Sequence, residues 1–167
     1  MHSFSELADR CTSFTLSALR EANDRTIDEL QTSGATNLVK TLQIIQLQKA
    51  AFAVGMFSIF EADLQTSLGS KNGFKKAKQI LESKGKIDLK ERFEDLYFAI
   101  NALKHGRGAS YDALIAKEKQ FPFRVKMPTE SFFFEGDVSE VNTLIEVNDG
   151  FVQLCGDIIS EVSRTIR

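Results

Sequence analysis

Both prolines of this 167-residue chain fall close together, at Pro122 and Pro128. Residues 1–121 and 129–167 therefore lack the strongest helix breaker, and long helices can form on either side of one interruption. Apolar residues make up 43% of the chain and charged residues 26%. That is enough apolar material for a core in a single domain of ordinary size, with no disulfide or metal staple required.

The apolar spacing turns this freedom into elements. Residues 5–31 read as a long helix, capped by Ser3 or Ser5 with Glu6 in its first turn. Leu16, Leu19, Ile27 and Leu30 line one stripe, interrupted by Asn23, while Leu7, Cys11, Phe14 and Ala18 line another. A second helix spans 36–68. Its Leu38, Leu42, Ile45, Phe52, Met56 and Ile59 keep the four-three spacing of a core stripe, and Phe57, Phe60, Leu64 and Leu68 widen it. Its middle is apolar nearly all round, which marks it as the central helix. A short basic helix, 74–83, carries Lys75, Lys76 and Lys78. The next, 88–105, presents Leu89, Phe93, Leu96, Ile100 and Leu103 as a complete core stripe.

Gly106 and Gly108 then break the pattern as helix-ending glycines do. Residues 110–119 have room for another short helix. Over 121–134 the period changes: Phe121, Phe123, Val125 and Met127 alternate with Pro122, Arg124 and Lys126, a strand-like period of two. A turn at Pro128, Thr129 and Glu130 would bring Phe132, Phe133 and Phe134 back as a small hairpin; an ordered loop fits equally well. The last helix is expected over 139–165, on Val141, Ile145, Val152, Cys155, Ile159 and Val162, with Asn148 as its one polar interruption. The whole predicts an all-α fold in one domain. It is an up-and-down bundle of four to five helices, with an irregular or hairpin excursion before the last helix.

Several classes of function are disfavoured. A net charge of −2 and a pI near 5.8 argue against a protein that coats nucleic acid by bulk charge, though not against a local basic patch. Cys11 and Cys155 fit no metal spacing and are expected to be buried, reduced thiols. No metal or cofactor is called for. The first residues lack a basic stretch followed by an apolar run, and the most apolar window, 50–60, falls short of the ~20 residues that span a bilayer. A cytoplasmic protein with no membrane partner is expected.

The one chemically pointed segment is Asn-Ala-Leu-Lys-His-Gly-Arg-Gly, residues 101–108. Glu94, Phe98, Asn101 and His105 run beside the core stripe, so Asn101 and His105 share a face one turn apart. Arg107 follows in the cap, where it can fold back toward the imidazole. Histidine serves as acid or base near neutral pH, arginine holds phosphate oxygens, and asparagine orients either partner. Lys104 and Lys126 add positive charge. Without a metal, such a site needs the 2′-hydroxyl of RNA as nucleophile. A histidine before a glycine also suits a plain helix cap. The only other histidine, His2, lies at the chain's start.

A long-helix bundle with Asn-x-x-Lys-His-Gly-x-Gly closing a late helix resembles the HEPN superfamily (higher eukaryote and prokaryote nucleotide-binding domains). The likeness is to bacterial branches in which KHGxG ends that helix. The resemblance implies an all-α bundle, usually a homodimer whose motif helices meet at a shared cleft, and in many members metal-independent endoribonuclease activity in defence or toxin–antitoxin systems. It places Asn101 at the family's polar position and His105 at its histidine. The family arginine would stand where this chain has Ile100, with Arg107 the nearest substitute and Arg92 earlier on the same helix. Glu61 resembles an acidic residue of the central helix, read either as a site-lining carboxylate or as an edge residue paired with a lysine or Asn101.

Three readings follow. The chain is an RNA-binding protein or degenerate ribonuclease, with His105, Asn101 and Arg107 as catalytic candidates and Lys104 and Glu61 beside the substrate. Alternatively it is a non-catalytic interaction module that meets a protein partner through the phenylalanine-rich residues 121–134. In the third reading it is a bundle that binds a nucleotide or other small ligand near His105.

Overall fold

Ser3 opens the first helix: its hydroxyl accepts from the Glu6 N–H at 3.2 Å. In the computed structural model, which describes residues 3–117 and 120–167, six helices follow in order. They are α1 (Phe4–Leu30), α2 (Thr36–Ser67), α3 (Gly73–Ser83), α4 (Ile87–His105), α5 (Ala109–Ala116) and α6 (Asp149–Ile166). The described residues contain no strand, only an isolated antiparallel bridge between Val125 and Ile145. The fold is an all-α helical bundle. His2, and the Lys119 end expected for the fifth helix, lie outside the described residues.

Side-chain contacts set the helix directions. Asp9 reaches Arg164 at 2.7 Å and Arg20 reaches Asp149 at 3.0 Å, so α1 runs antiparallel to α6. The two approach closely at Gly156, where a Cβ would lie 2.7 Å from Thr12 Oγ1. Lys49 meets Asp149 at 2.8 Å and Asp63 meets Arg167 at 2.8 Å, so α2 runs parallel to α6. Phe74 stacks on Tyr97 and Lys90 pairs with Glu82, which makes α3 and α4 antiparallel.

The centre is aromatic. Phe93 is fully buried and packs within 6.0 Å, ring to ring, of Phe57 and Phe60 on α2 and within 4.8 Å of Phe74 on α3. Leu89, Phe93, Leu96 and Ile100 are all buried, as the α4 stripe requires.

Three expectations change. Of the two apolar stripes on α1, the one through Leu7, Cys11, Phe14 and Ala18 faces outward, so Cys155 is the buried thiol and Cys11 is exposed. Ile59, placed on the α2 core stripe, is 63% exposed. The last helix begins ten residues later than its apolar spacing suggests. Asn148 is its N-cap, accepting from the Phe151 N–H at 2.9 Å, so the polar interruption is in fact the start signal. In addition, α2 as a whole is long and apolar enough to cross a membrane, which the eleven-residue window understated.

From residue 120 to the start of α6 the excursion is an ordered loop. The hairpin partner of Val125 is Ile145 rather than Phe132, Phe133 or Phe134. The Lys126 N–H donates to Leu144 O at 2.8 Å and the Glu146 N–H to Arg124 O at 3.0 Å. Lys126, only 4% exposed, sends its ammonium to Glu140 at 2.9 Å and over the Phe133 ring. Glu140 also accepts from the N–H groups of Phe133 and Phe134.

At the start of α6 the Asp149 carboxylate sits among three elements. Partial burial favours its neutral form. Hydrogen bonds and charge from Lys49 and Arg20 more than reverse this and hold its pKa below the ordinary aspartate value. Its contribution to stability is therefore complete above the unfolded pKa, near 3.8, and is lost as pH falls through the lower folded value. Urea unfolding at pH 7, 4 and 3 should show Asp149→Asn less stable than wild type at pH 7, with the gap narrowing as the pH falls below the unfolded value. A gap that does not change with pH rejects the assignment.

Candidate functional site

The end of α4 divides two grooves. Tyr97, Asn101 and His105 succeed one another at one-turn spacing and line the same side of the helix. With Ser110 of α5, and with Gly106 and Gly108 between the helices, they bound an open groove of about 320 Å³. The helix stops there because Gly106 turns to φ 73°, which side-chain-bearing residues rarely adopt, while its N–H still donates to Ala102 O at 2.9 Å. His105 is exposed, and among the described residues neither it nor Asn101 makes a side-chain hydrogen bond. Tyr97 forms the inner wall, its ring stacked on Phe74 at 4.0 Å and 18°. Next to Phe74, the first turn of α3 carries the exposed Lys75 and Lys76, and the exposed Lys71 stands just before the helix.

Arg107 lies on the other side. It lines a separate open groove of about 540 Å³ with Lys126, Thr129, Glu130 and Ser131, and only Gly106 borders both. The expected fold-back of the guanidinium onto the imidazole is thus not what the chain does. His105 and Arg107, on either side of Gly106, line different grooves. Lys126 is also withdrawn from any ligand, since Glu140 and the Ser131 carbonyl hold its ammonium. Tyr111 is spoken for, its hydroxyl donating to Lys126 O at 2.6 Å. Burial raises its phenol pKa, and the Arg107 charge partly offsets this.

The remaining candidates stand apart from the His105 groove. Ile100, at the position of the family arginine, is 1% exposed in the core. Arg92 is bound to Asp88 at 2.9 Å and Glu161 at 2.8 Å. Glu61, half buried, has its carboxyl pKa raised by desolvation, with the nearby Lys104 charge opposing. Lys104 is exposed and lines neither groove, so the Glu61–Lys104 relation is electrostatic and peripheral.

The line expected through Glu94 and Phe98 also belongs elsewhere. Glu94 is held by Lys78 and Lys117, and Lys117 sits over the Phe98 ring at 5.1 Å. The groove line is Tyr97, Asn101, His105. Tyr97 and Ser110 are the functional candidates that sequence reasoning passed over. The four-residue step from 97 to 101 to 105 was the signal for Tyr97, but nothing in the sequence marked Ser110.

Comparison of the chain with protein-family models, with curated proteins and with solved structures finds no match. Among the described residues, no group of three His, Cys, Asp or Glu side chains is placed to hold a metal ion.

Proposed function

We propose that this chain is a HEPN-like RNA-binding protein of the cytoplasm, in which the groove along Tyr97, Asn101 and His105 receives one nucleotide of a strand. The observation that carries the reading is that Asn101 and His105 meet in an open groove with their polar groups uncommitted, against an aromatic wall. Tyr97, backed by Phe74 and lining the groove, supplies the aromatic surface against which a base would pack. His105 and Asn101 supply hydrogen bonds to phosphate or ribose, and Lys71, Lys75 and Lys76 extend a local basic surface that the net charge of the chain conceals.

Binding without efficient cutting is the better fit. Strand scission at a 2′-hydroxyl puts extra charge on the phosphate oxygens, and a guanidinium beside the imidazole would stabilise it. Here Ile100 is in the core and Arg107 is in the neighbouring groove.

Fluorescence anisotropy with a labelled single-stranded oligoribonucleotide tests this. Base stacking is worth ~1–3 kcal/mol, so Tyr97→Ala should weaken binding by about 5- to 160-fold, and His105→Ala should also weaken it. No binding by wild type, or unchanged binding by both variants, rejects the reading. The same RNA incubated in EDTA should stay intact. Cyclic-phosphate ends that disappear in His105→Ala would instead show that the groove cleaves.

One observation favours a second reading, a protein-interaction module. Phe132, Phe134 and Val138 are each more than half exposed on the excursion, an apolar surface suited to a protein partner.

A further inference from the structure

We propose that the outer face of α1 and α2 is the surface through which two copies of this chain associate. On α1 the residues Phe4, Leu7, Cys11, Phe14 and Ala18 form one stripe at three- and four-residue steps. Its first member stacks on Phe60 of α2 at 5.6 Å, so the stripe runs along the flank of α1 that adjoins α2. Past Phe4 the stripe is exposed, and Phe14 stands 77% clear of the fold. On α2, Ile44, Leu47 and Ile59 are each more than half exposed. Between residues 41 and 60 the only charged side chain of α2 is Lys49, which is buried against Asp149.

The size of the face matters. Leu7, Phe14, Ile44, Leu47 and Ile59 alone offer on the order of 500 Å² of apolar surface, at the upper end of what a monomer usually exposes. With the smaller residues between them, the face approaches the ~800 Å² that each partner of a standard interface contributes.

The relief of the face selects the partner. Phe14 and Leu7 project from α1, while Ala51 and Gly55 leave α2 low, with nothing within 4 Å of where a Gly55 Cβ would be. One face thus carries both projection and hollow, as a two-fold contact between identical surfaces requires. Charge disfavours a lipid surface. α1 carries Glu6, Asp9, Glu21, Asp24, Asp28 and Glu29 against Arg10, Arg20 and Arg25, a net of −3 that anionic headgroups repel. The HEPN resemblance implies a dimer joined at the motif helices. The face proposed here lies on other helices and does not depend on RNA binding.

Light scattering coupled to gel filtration, run from 1 to 100 µM, tests the proposal. Wild type should reach twice the 18.7 kDa of one chain, and His105→Ala should match it. Phe14→Asp and Leu47→Asp should remain at one chain's mass, with unchanged helical circular dichroism because both side chains face outward. Cys11 provides a readout that needs no variant: its alkylation should be slow in concentrated wild type and accelerate on dilution as the mass falls. The buried Cys155 stays silent throughout. Wild type that stays at a single chain's mass to 100 µM overturns the proposal. So does a dimer that survives both substitutions, or flotation of the wild type with anionic vesicles.

Discussion

Replacing Glu140 by Ala should lower the unfolding free energy by about 3–5 kcal/mol, the range for breaking a buried ion pair by removing one partner. The cost comes chiefly from what remains. Lys126 keeps its charge in a site where it is 4% exposed, with only the Ser131 carbonyl at 3.3 Å and the Phe133 ring for company. The N–H groups of Phe133 and Phe134 lose their acceptor as well. Burial works against the Glu140 carboxylate. The Lys126 bond and the two backbone donors outweigh it and hold its pKa below the ordinary glutamate value, so this stabilisation is present at neutral pH and fades in acid. Urea titration at pH 7 reads the loss. The double variant Lys126→Met with Glu140→Leu, which removes both charges, should lose less than Glu140→Ala alone. If the single substitution costs under ~1 kcal/mol, the pair does not hold the excursion.

Phe93→Ala should cost a similar ~3–5 kcal/mol, the range for deleting a buried aromatic ring and leaving a cavity. The Phe93 ring joins three helices, touching Phe57 and Phe60 of α2 and Phe74 of α3 from its own place on α4. Phe74 in turn supports Tyr97, so the loss should reach the groove. Phe93→Leu fills much of the volume and should cost well under half as much. RNA binding measured well below the melting temperature should weaken in Phe93→Ala and hold in Phe93→Leu. Equal stability losses in both would mean that the ring contacts are not what packs this centre.

These two sites differ in how visible they were in the sequence. Phe93 was legible because a helix repeats its core contacts every three or four residues, and Leu89, Leu96 and Ile100 agreed with it. The Lys126–Glu140 pair was not. Its partners are fourteen residues apart in irregular chain, and no local period marks such a contact. The same limit explains the excursion, where a real alternation at residues 121–127 found its partner at Ile145. Asn148 could have been read as a cap, since an asparagine before an acidic first turn is a start signal; the apolar spacing on either side of it hid the boundary. Periodicity also marked both stripes of α1 as apolar without saying which one the fold covers. At the site, spacing placed Asn101 and His105 together, but helical spacing ends at Gly106 and says nothing of Arg107, which lines a different groove.

The antiparallel pairing of α1 with α6 bears on how the chain comes into being. Ala8, Thr12 and Leu16 are buried where the last helix approaches closely at Gly156, 140 or more positions away from them. During synthesis the first helix emerges from the ribosome long before its partner exists, and its inner side has to wait through the making of four other helices. Contacts so distant along the chain slow folding. Until α6 is released, α1 has only α2 to pack on, and the side that α6 will cover is left bare, an unfinished surface of the kind that chaperones bind.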